Sequence, residues 1–221
     1  MSLAEVDELR RLPSPAPFPQ SLAFDGTNLW MGSRETHRLY AIDPHQWTAR
    51  DEAQAPGVPY GLTVAGDELR VLCGEGSEDH RRIHRFIPGR GFHAGEVIDA
   101  PDDTGSYLAY DGDLLYVSQW YRQRILGLDD AGAVATTVDV PHGICGLTIV
   151  GGRFYCATTD KEETTEYWLT RVDARKGKVE CVDLARIPFQ ARSLAFDGRN
   201  FWTNHRENNE MVSFAPPAGA I

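Results

Sequence analysis

Four arginines and three aromatic residues, Arg34, Arg122, Arg192 and Arg206 with Tyr60, Trp120 and Tyr121, stand at the ends of short β-patterned segments. Guanidinium forks grip carboxylate or phosphate through paired hydrogen bonds, and aromatic rings stack on flat or sugar faces. Arg192, Arg206, Arg34, Tyr60, Trp120, Gln20 and Asn204 make up the candidate ligand-binding set. The sharper expectation is capture of a small anionic or polar organic molecule. The plainer one is that the arginines pair with Glu35, Glu75, Asp160 and Glu207 in rim salt bridges, which contribute little each.

A second set could carry catalysis. His205 is the leading acid/base candidate, because imidazole titrates near neutrality. Glu75 and Cys145 follow, and a Cys145 nucleophile would need His205 within hydrogen-bond reach. His205, Cys73, Cys145 and Glu75 are chemically fit to hold a metal, but no short metal-type spacing joins them, so no metal is assigned. No Gly-rich phosphate loop, Gly-x-Ser-x-Gly, His-Glu-x-x-His or EF-hand pattern occurs, and no cofactor is implied.

These residues are placed by a repeat. Ser21-Leu22-Ala23-Phe24-Asp25-Gly26 returns as Ser193-Leu194-Ala195-Phe196-Asp197-Gly198. Weaker copies begin at Gly61, Tyr107 and Gly146. Their middle residues, Ala23, Thr63, Ala109, Thr148 and Ala195, lie 40, 46, 39 and 47 positions apart. A period in the low forties built from short strands marks propeller blades. Each copy reads as four strands, with a glycine closing the first hairpin where φ must be positive. No segment holds a sustained 3.6-residue apolar period, so almost no helix is expected.

The expected fold is therefore an all-β, five-bladed β-propeller of four-stranded antiparallel blades, one domain spanning residues 1–221. The blades fall near 17–55, 56–100, 101–140, 141–187 and 188–217, the last completed by residues 6–12. That N-terminal segment resembles the stretch before the fifth copy: strand, proline, phenylalanine, hexapeptide. Ring closure of this kind removes open sheet edges. Trp30 and Trp202 read as packing between blades. The links into each first strand and the loops after each second strand share one face, around the mouth of an axial channel. Gln20, Tyr60, Ser106, Cys145 and Arg192 stand just before the first strands. His205, Asn204, Arg206, Arg34, Glu75 and Trp120 stand at or after the ends of second strands.

The pattern hydrophobic–Ala–Phe–Asp–Gly–x–Asn–hydrophobic–Trp resembles the blade repeats of bacterial propellers of the WD40/YVTN-like kind. It is more loosely similar to five-bladed glutaminyl cyclotransferases and to lactonase-like propellers. The resemblance implies the fold. It carries no catalytic residue across, since Met31 follows Leu29-Trp30 where the cyclotransferases place glutamate, and Pro19-Gln20-Ser21-Leu22 replaces their upstream motif.

Charge bounds the partners. With 22 basic and 32 acidic residues the net charge is −10, unsuited to general binding of nucleic acid or anionic membrane. The N-terminus lacks a basic and apolar leader pattern, and no apolar stretch is long enough to span a bilayer. Four cysteines without CxxC spacing read as free thiols of a cytoplasmic protein, with a Cys145–Cys156 bridge left open. The run from Glu78 to Arg85 reads as a solvated loop, and the acidic loop Thr158–Tyr167 as an exposed flap. Two rivals to small-ligand binding stand: a hydrolase, lyase or transferase using His205 with Glu75 or Cys145, and a protein-interaction scaffold.

Overall fold

Large residues alternate with small ones in each first strand. Leu22, Leu62, Leu108, Leu147 and Leu194 are all nearly inaccessible. A strand flanked on both faces by neighbouring sheets needs this complementarity. The structure, a computed structural model, describes residues 3–161, 164–175 and 177–221, with the backbone only at 175.

The chain opens with β1 (Asp7–Pro13). Blade 1 is β2 (Pro19–Phe24), β3 (Leu29–Ser33), β4 (Arg38–Asp43) and β5 (Thr48–Gln54). Blade 2 is β6 (Val58–Ala65), β7 (Glu68–Glu75), β8 (His80–Ile87) and β9 (Gly91–Asp99). Blade 3 is β10 (Leu108–Tyr110), β11 (Leu115–Gln119), β12 (Arg124–Leu128) and β13 (Val134–Asp139). Blade 4 is β14 (Gly143–Val150), β15 (Arg153–Thr159), β16 (Tyr167–Arg175) and β17 (Lys178–Ile187). Blade 5 is β18 (Ala191–Phe196), β19 (Phe201–His205) and β20 (Glu210–Ala215), closed by β1 in the order β1-β20-β19-β18. The molecule is thus a five-bladed propeller of antiparallel sheets. Among the described residues its sole helical piece is a turn at Pro101–Asp103. No described helix is long and apolar enough to cross a membrane.

The repeated Asp-Gly has a local cause. The Asp25 carboxylate accepts the backbone N–H groups of Thr27 (2.8 Å) and Asn28 (2.6 Å) and the indole N–H of Trp30 (2.6 Å). Asp197 does the same for Arg199, Asn200 and Trp202. Asp111 does so for Asp113, Leu114 and the Tyr116 hydroxyl. One side chain therefore builds the turn and satisfies an aromatic ring that packs between blades. Trp30 meets Phe86 of blade 2 edge-on, and Trp202 stacks on Trp47 of blade 1. Blades 2 and 4 lack this aspartate and close instead with two-residue turns, Ala65 pairing Glu68 and Val150 pairing Arg153.

The inner strands come close around the axis. A Cβ on Gly61 would lie 2.9 Å from Tyr107 Cα, and one on Gly146 2.4 Å from the Ser193 carbonyl carbon. Ser193 itself spans the gap to blade 1, its hydroxyl accepting the Leu22 N–H at 2.7 Å.

Two local readings change, one stands, and one falls partly outside the described residues. Val6 lies outside the closing strand. Its N–H donates to Arg186 O at 2.9 Å, so the segment before β1 ties blade 4 to blade 5. The basic run is mostly strand, since β8 already begins at His80 after a tight turn, and His84 is buried. All four cysteines are free thiols. Of the acidic loop, Glu162 and Glu163 lie outside the described residues.

Candidate functional site

The first strands lose ladder register at one shared end. The pairing skips Gln20 in β2, Tyr60 in β6 and Cys145 in β14, and slips between Arg192 and Ala195 in β18. A bulge bends its strand and re-aims a side chain out of the alternating pattern. The result is an axial cavity of about 190 Å³ lined by Gln20, Arg34, Tyr60, Arg81, Tyr107, Trp120, Tyr121, Cys145, Arg192 and Arg206, with Gly105 and Ser106. A wider recess of about 740 Å³ adjoins it, sharing Arg192 and Arg206 and adding Phe18, Thr164, Thr165, Gln190 and Glu207.

A buried rung spans the hub beneath the mouth. Gln20 accepts from Arg206 Nη1 at 2.8 Å and donates through Nε2 to Tyr107 Oη at 2.9 Å. Blades 5, 1 and 3 are thereby joined through one amide. Burial pushes the Tyr107 phenol up to about 12, so it remains a neutral hydrogen-bonding group. Below the rung a separate axial cavity is lined by the repeating strand residues, such as Leu22, Phe24, Leu62, Leu147 and Phe196.

Three guanidinium groups converge above the rung. Arg192 donates to Tyr167 Oη at 2.5 Å and to the Ala191 carbonyl at 3.0 Å. Arg34 lies over the Tyr60 ring, 5.3 Å from its centroid. Among the described residues none of Arg34, Arg192 and Arg206 forms an ion pair with a carboxylate. The expected rim partners are otherwise disposed: Glu75 holds His84 and Arg82, and Asp160 holds His142. Glu207 lines the wide recess without joining an ion pair to them. Burial opposes the Arg206 charge, and Arg192 and Arg34 oppose it further, so its pKa falls below the ordinary guanidinium value. Burial also opposes the Arg192 charge, but the surrounding Cys145, Tyr107 and Tyr167 side chains outweigh this and raise its pKa.

Two glycines make room for the aromatic walls. A Cβ on Gly74 would lie 2.6 Å from Arg81 Nη1 and 2.7 Å from Tyr60 Cε2. A Cβ on Gly143 would lie 2.6 Å from the Trp120 ring. Arg81 stacks on Tyr60 at 3.6 Å and pairs with Asp79 at 2.6 Å, so its charge is already met. Arg122 likewise faces Asp102, at 3.8 Å.

Gln20, Arg34, Tyr60, Trp120, Cys145, Arg192 and Arg206 thus share one cavity. His205, Glu75 and Asn204 do not line it. His205 stacks on Phe189, contacts Arg11 at 3.0 Å and faces Glu210 at 3.4 Å. Burial, with Arg11 adding to it, lowers its pKa despite Glu210. Glu75 meets His84 Nε2 at 2.5 Å. Asn204 is fully buried, and both its amide atoms lack a hydrogen-bond partner. No described cluster of three or more histidine, cysteine or carboxylate groups could hold a metal ion. Sequence reasoning missed Arg81, Tyr107, Gln190 and Phe18. Arg81 sits in the run that reads as a loop, and Tyr107 opens a repeat copy. The triplet Pro17-Phe18-Pro19 was the available signal for Phe18.

No protein-family model matches the chain, and none of the curated proteins does. Solved structures share its architecture. Glutaminyl cyclase from Myxococcus xanthus superposes with a TM-score of 0.55 at 14% identity, covering 81% of this chain and 100% of that one. The PQQ-bound aldose sugar dehydrogenase from Streptomyces coelicolor gives 0.57 at 11% identity, covering 96% and 98%. A catalytically inactive virginiamycin B lyase from Staphylococcus aureus, with quinupristin, gives 0.53 at 15% identity, covering 92% and 82%. At such identities the likeness is one of fold, and the chain is similar to these proteins as a propeller.

Proposed function

We propose that the protein binds a small organic anion at the mouth of its axial channel. The observation that carries this reading is the convergence of Arg34, Arg192 and Arg206 with no carboxylate paired to any of them among the described residues. Like charges held together and half removed from water raise the free energy of the empty site. An anion that accepts their hydrogen bonds relieves this, and the low local dielectric strengthens the contact. The rung of Gln20 and Tyr107 supplies neutral polar groups at the base, and Tyr60 and Trp120 supply flat walls. Cys145 stands at the same mouth, but neither His205 nor Glu75 lines the cavity beside it. Binding is therefore favoured over acid–base catalysis by that set.

Thermal melts with acetate, succinate, citrate and inorganic phosphate test the reading. At least one of the multiply charged anions is expected to raise the melting temperature of the wild type, and Arg192→Ala is expected to lose most of that shift. A ligand at about 100 times its Kd stabilises by about 2.7 kcal/mol, well within detection. If no anion protects the wild type more than Arg192→Ala, the reading falls.

A further inference from the structure

Among the described residues, two large aromatic side chains sit on left-handed backbone, Trp47 at φ 57° and Phe18 at φ 48°. Bulky residues rarely adopt this region, and those that do are held there against a cost. At Trp47 the cost is met by packing. The ring stacks on Trp202 with centroids 5.6 Å apart, and its indole N–H donates to the Pro13 carbonyl at 2.8 Å. Phe18 has no such return. The residue is 49% exposed, and its ring joins no ring–ring or cation–ring contact among the described residues. Its hydrogen bonds run through the backbone. The N–H donates to Asn209 Oδ1 at 2.8 Å, and the carbonyl accepts from the Arg34 N–H at 3.0 Å.

Those two bonds dictate the backbone path, which glycine or asparagine would follow with less strain. They do not call for a phenyl ring. Prolines on both sides limit the ways this segment can relax. The ring is thus held out at the wall of the wide recess, beside Arg192 and Arg206.

We propose that Phe18 is the stacking platform of the mouth, and that the anion bound there carries a planar ring. The inference rests on the anion-binding reading and narrows it to one chemical class. Guanidinium groups that meet no carboxylate among the described residues call for more than one negative charge, and an exposed ring face calls for a flat partner. The class is therefore a planar ring bearing a doubly charged anionic group, of which an aryl phosphate is the simplest case. The charged group sits at the wall shared by the two cavities, on Arg192 and Arg206, and the ring lies in the wide recess against Phe18.

Calorimetric titration of the wild type, Phe18→Gly and Phe18→Tyr with phenyl phosphate, cyclohexyl phosphate and inorganic phosphate tests this. The wild type is expected to prefer phenyl phosphate to inorganic phosphate by about tenfold, and to cyclohexyl phosphate by about threefold, in line with an aromatic stacking contribution. Phe18→Gly should bring the phenyl-to-inorganic ratio down to about one or two, and Phe18→Tyr should keep it. The melting temperature of Phe18→Gly should not fall, because glycine accepts this φ without strain, so a lost ratio cannot be ascribed to unfolding. A ratio unchanged in Phe18→Gly, or a wild type that binds phenyl phosphate no better than inorganic phosphate, overturns the stacking role while leaving anion binding in place. A wild type that binds none of the three overturns the stacking role, and if succinate and citrate also fail to protect it, anion binding falls as well.

Discussion

On the hairpin face of the ring, Asp25, Asp111 and Asp197 each accept two backbone N–H groups and one aromatic N–H or O–H. On the mouth face, Arg34, Arg192 and Arg206 converge without a paired carboxylate among the described residues. The same strands bear both faces. At the hairpin end the chain recurs because blades 1, 3 and 5 meet the same local demand: a charged group is satisfied within five residues and packs its aromatic partner. At the mouth end the residues differ from blade to blade, and some of their hydrogen bonds cross blades, Arg206 to Gln20 and Arg192 to Tyr167 among them. Repetition thus marks folding demands here, and its loss marks the place where something else is required.

The comparison breaks most visibly if an aspartate turn can be removed cheaply. Asp197→Ala leaves two turn N–H groups and the buried Trp202 indole without their acceptor. A loss of about 3 kcal/mol is expected in denaturant melts, with anion binding retained at temperatures where the variant is folded. Glycines sharpen it next. At Gly146 the obstacle is space, since an added methyl meets the Ser193 backbone of the next blade, and Gly146→Ala should cost about 2 kcal/mol. At Gly198 nothing lies within 4 Å and the obstacle is only φ 91°, so Gly198→Ala should cost about 1 kcal/mol. Equal losses would show that both faces tolerate the same changes.

The smallest effect is a pH dependence at the mouth end of β19. The folded state holds the His205 pKa below its ordinary value through burial and through Arg11. The neutral ring therefore contributes stability that is present in full above about pH 6.5 and is lost as pH falls through the depressed native value. His205→Gln should flatten the stability profile on the acid side of pH 6.5, read from melting temperatures across that range. An unchanged profile would show that burial at this end places no demand on charge.

Much of the ring was legible because its causes are local. The Asp-Gly-x-Asn turn, the alternation of Leu22 with small neighbours, and the likeness of residues 6–12 to the stretch before the fifth copy all act within a few residues. Even there, strand ends moved. β8 starts at His80 because a tight turn suffices after Glu75, and a run of charges hid the strand pattern. Val6 pairs with blade 4, a contact that no repeat phase encodes.

The site was legible only as a list. Gln20, Tyr60, Cys145 and Arg192 reach the mouth at register breaks in four first strands, and Arg34, Trp120 and Arg206 reach it from the loops after second strands. His205 and Glu75 share the same strand ends yet pair within their own blades, His205 with Arg11 and Glu210 and Glu75 with Arg82 and His84, and Asn204 is buried. Nothing in the sequence marks Gly74 and Gly143, and their purpose emerges only when Tyr60 and Trp120 occupy the room they leave.

Period, hairpin chemistry and ring closure are written along the chain, since backbone hydrogen bonding and near-neighbour packing set them over distances of a few residues. Which arginines converge at the mouth, and which aromatic ring is held out over the recess, was decided by folding. Those facts depend on side chains from different blades, separated by as many as 186 positions in the chain, being brought to a common axis.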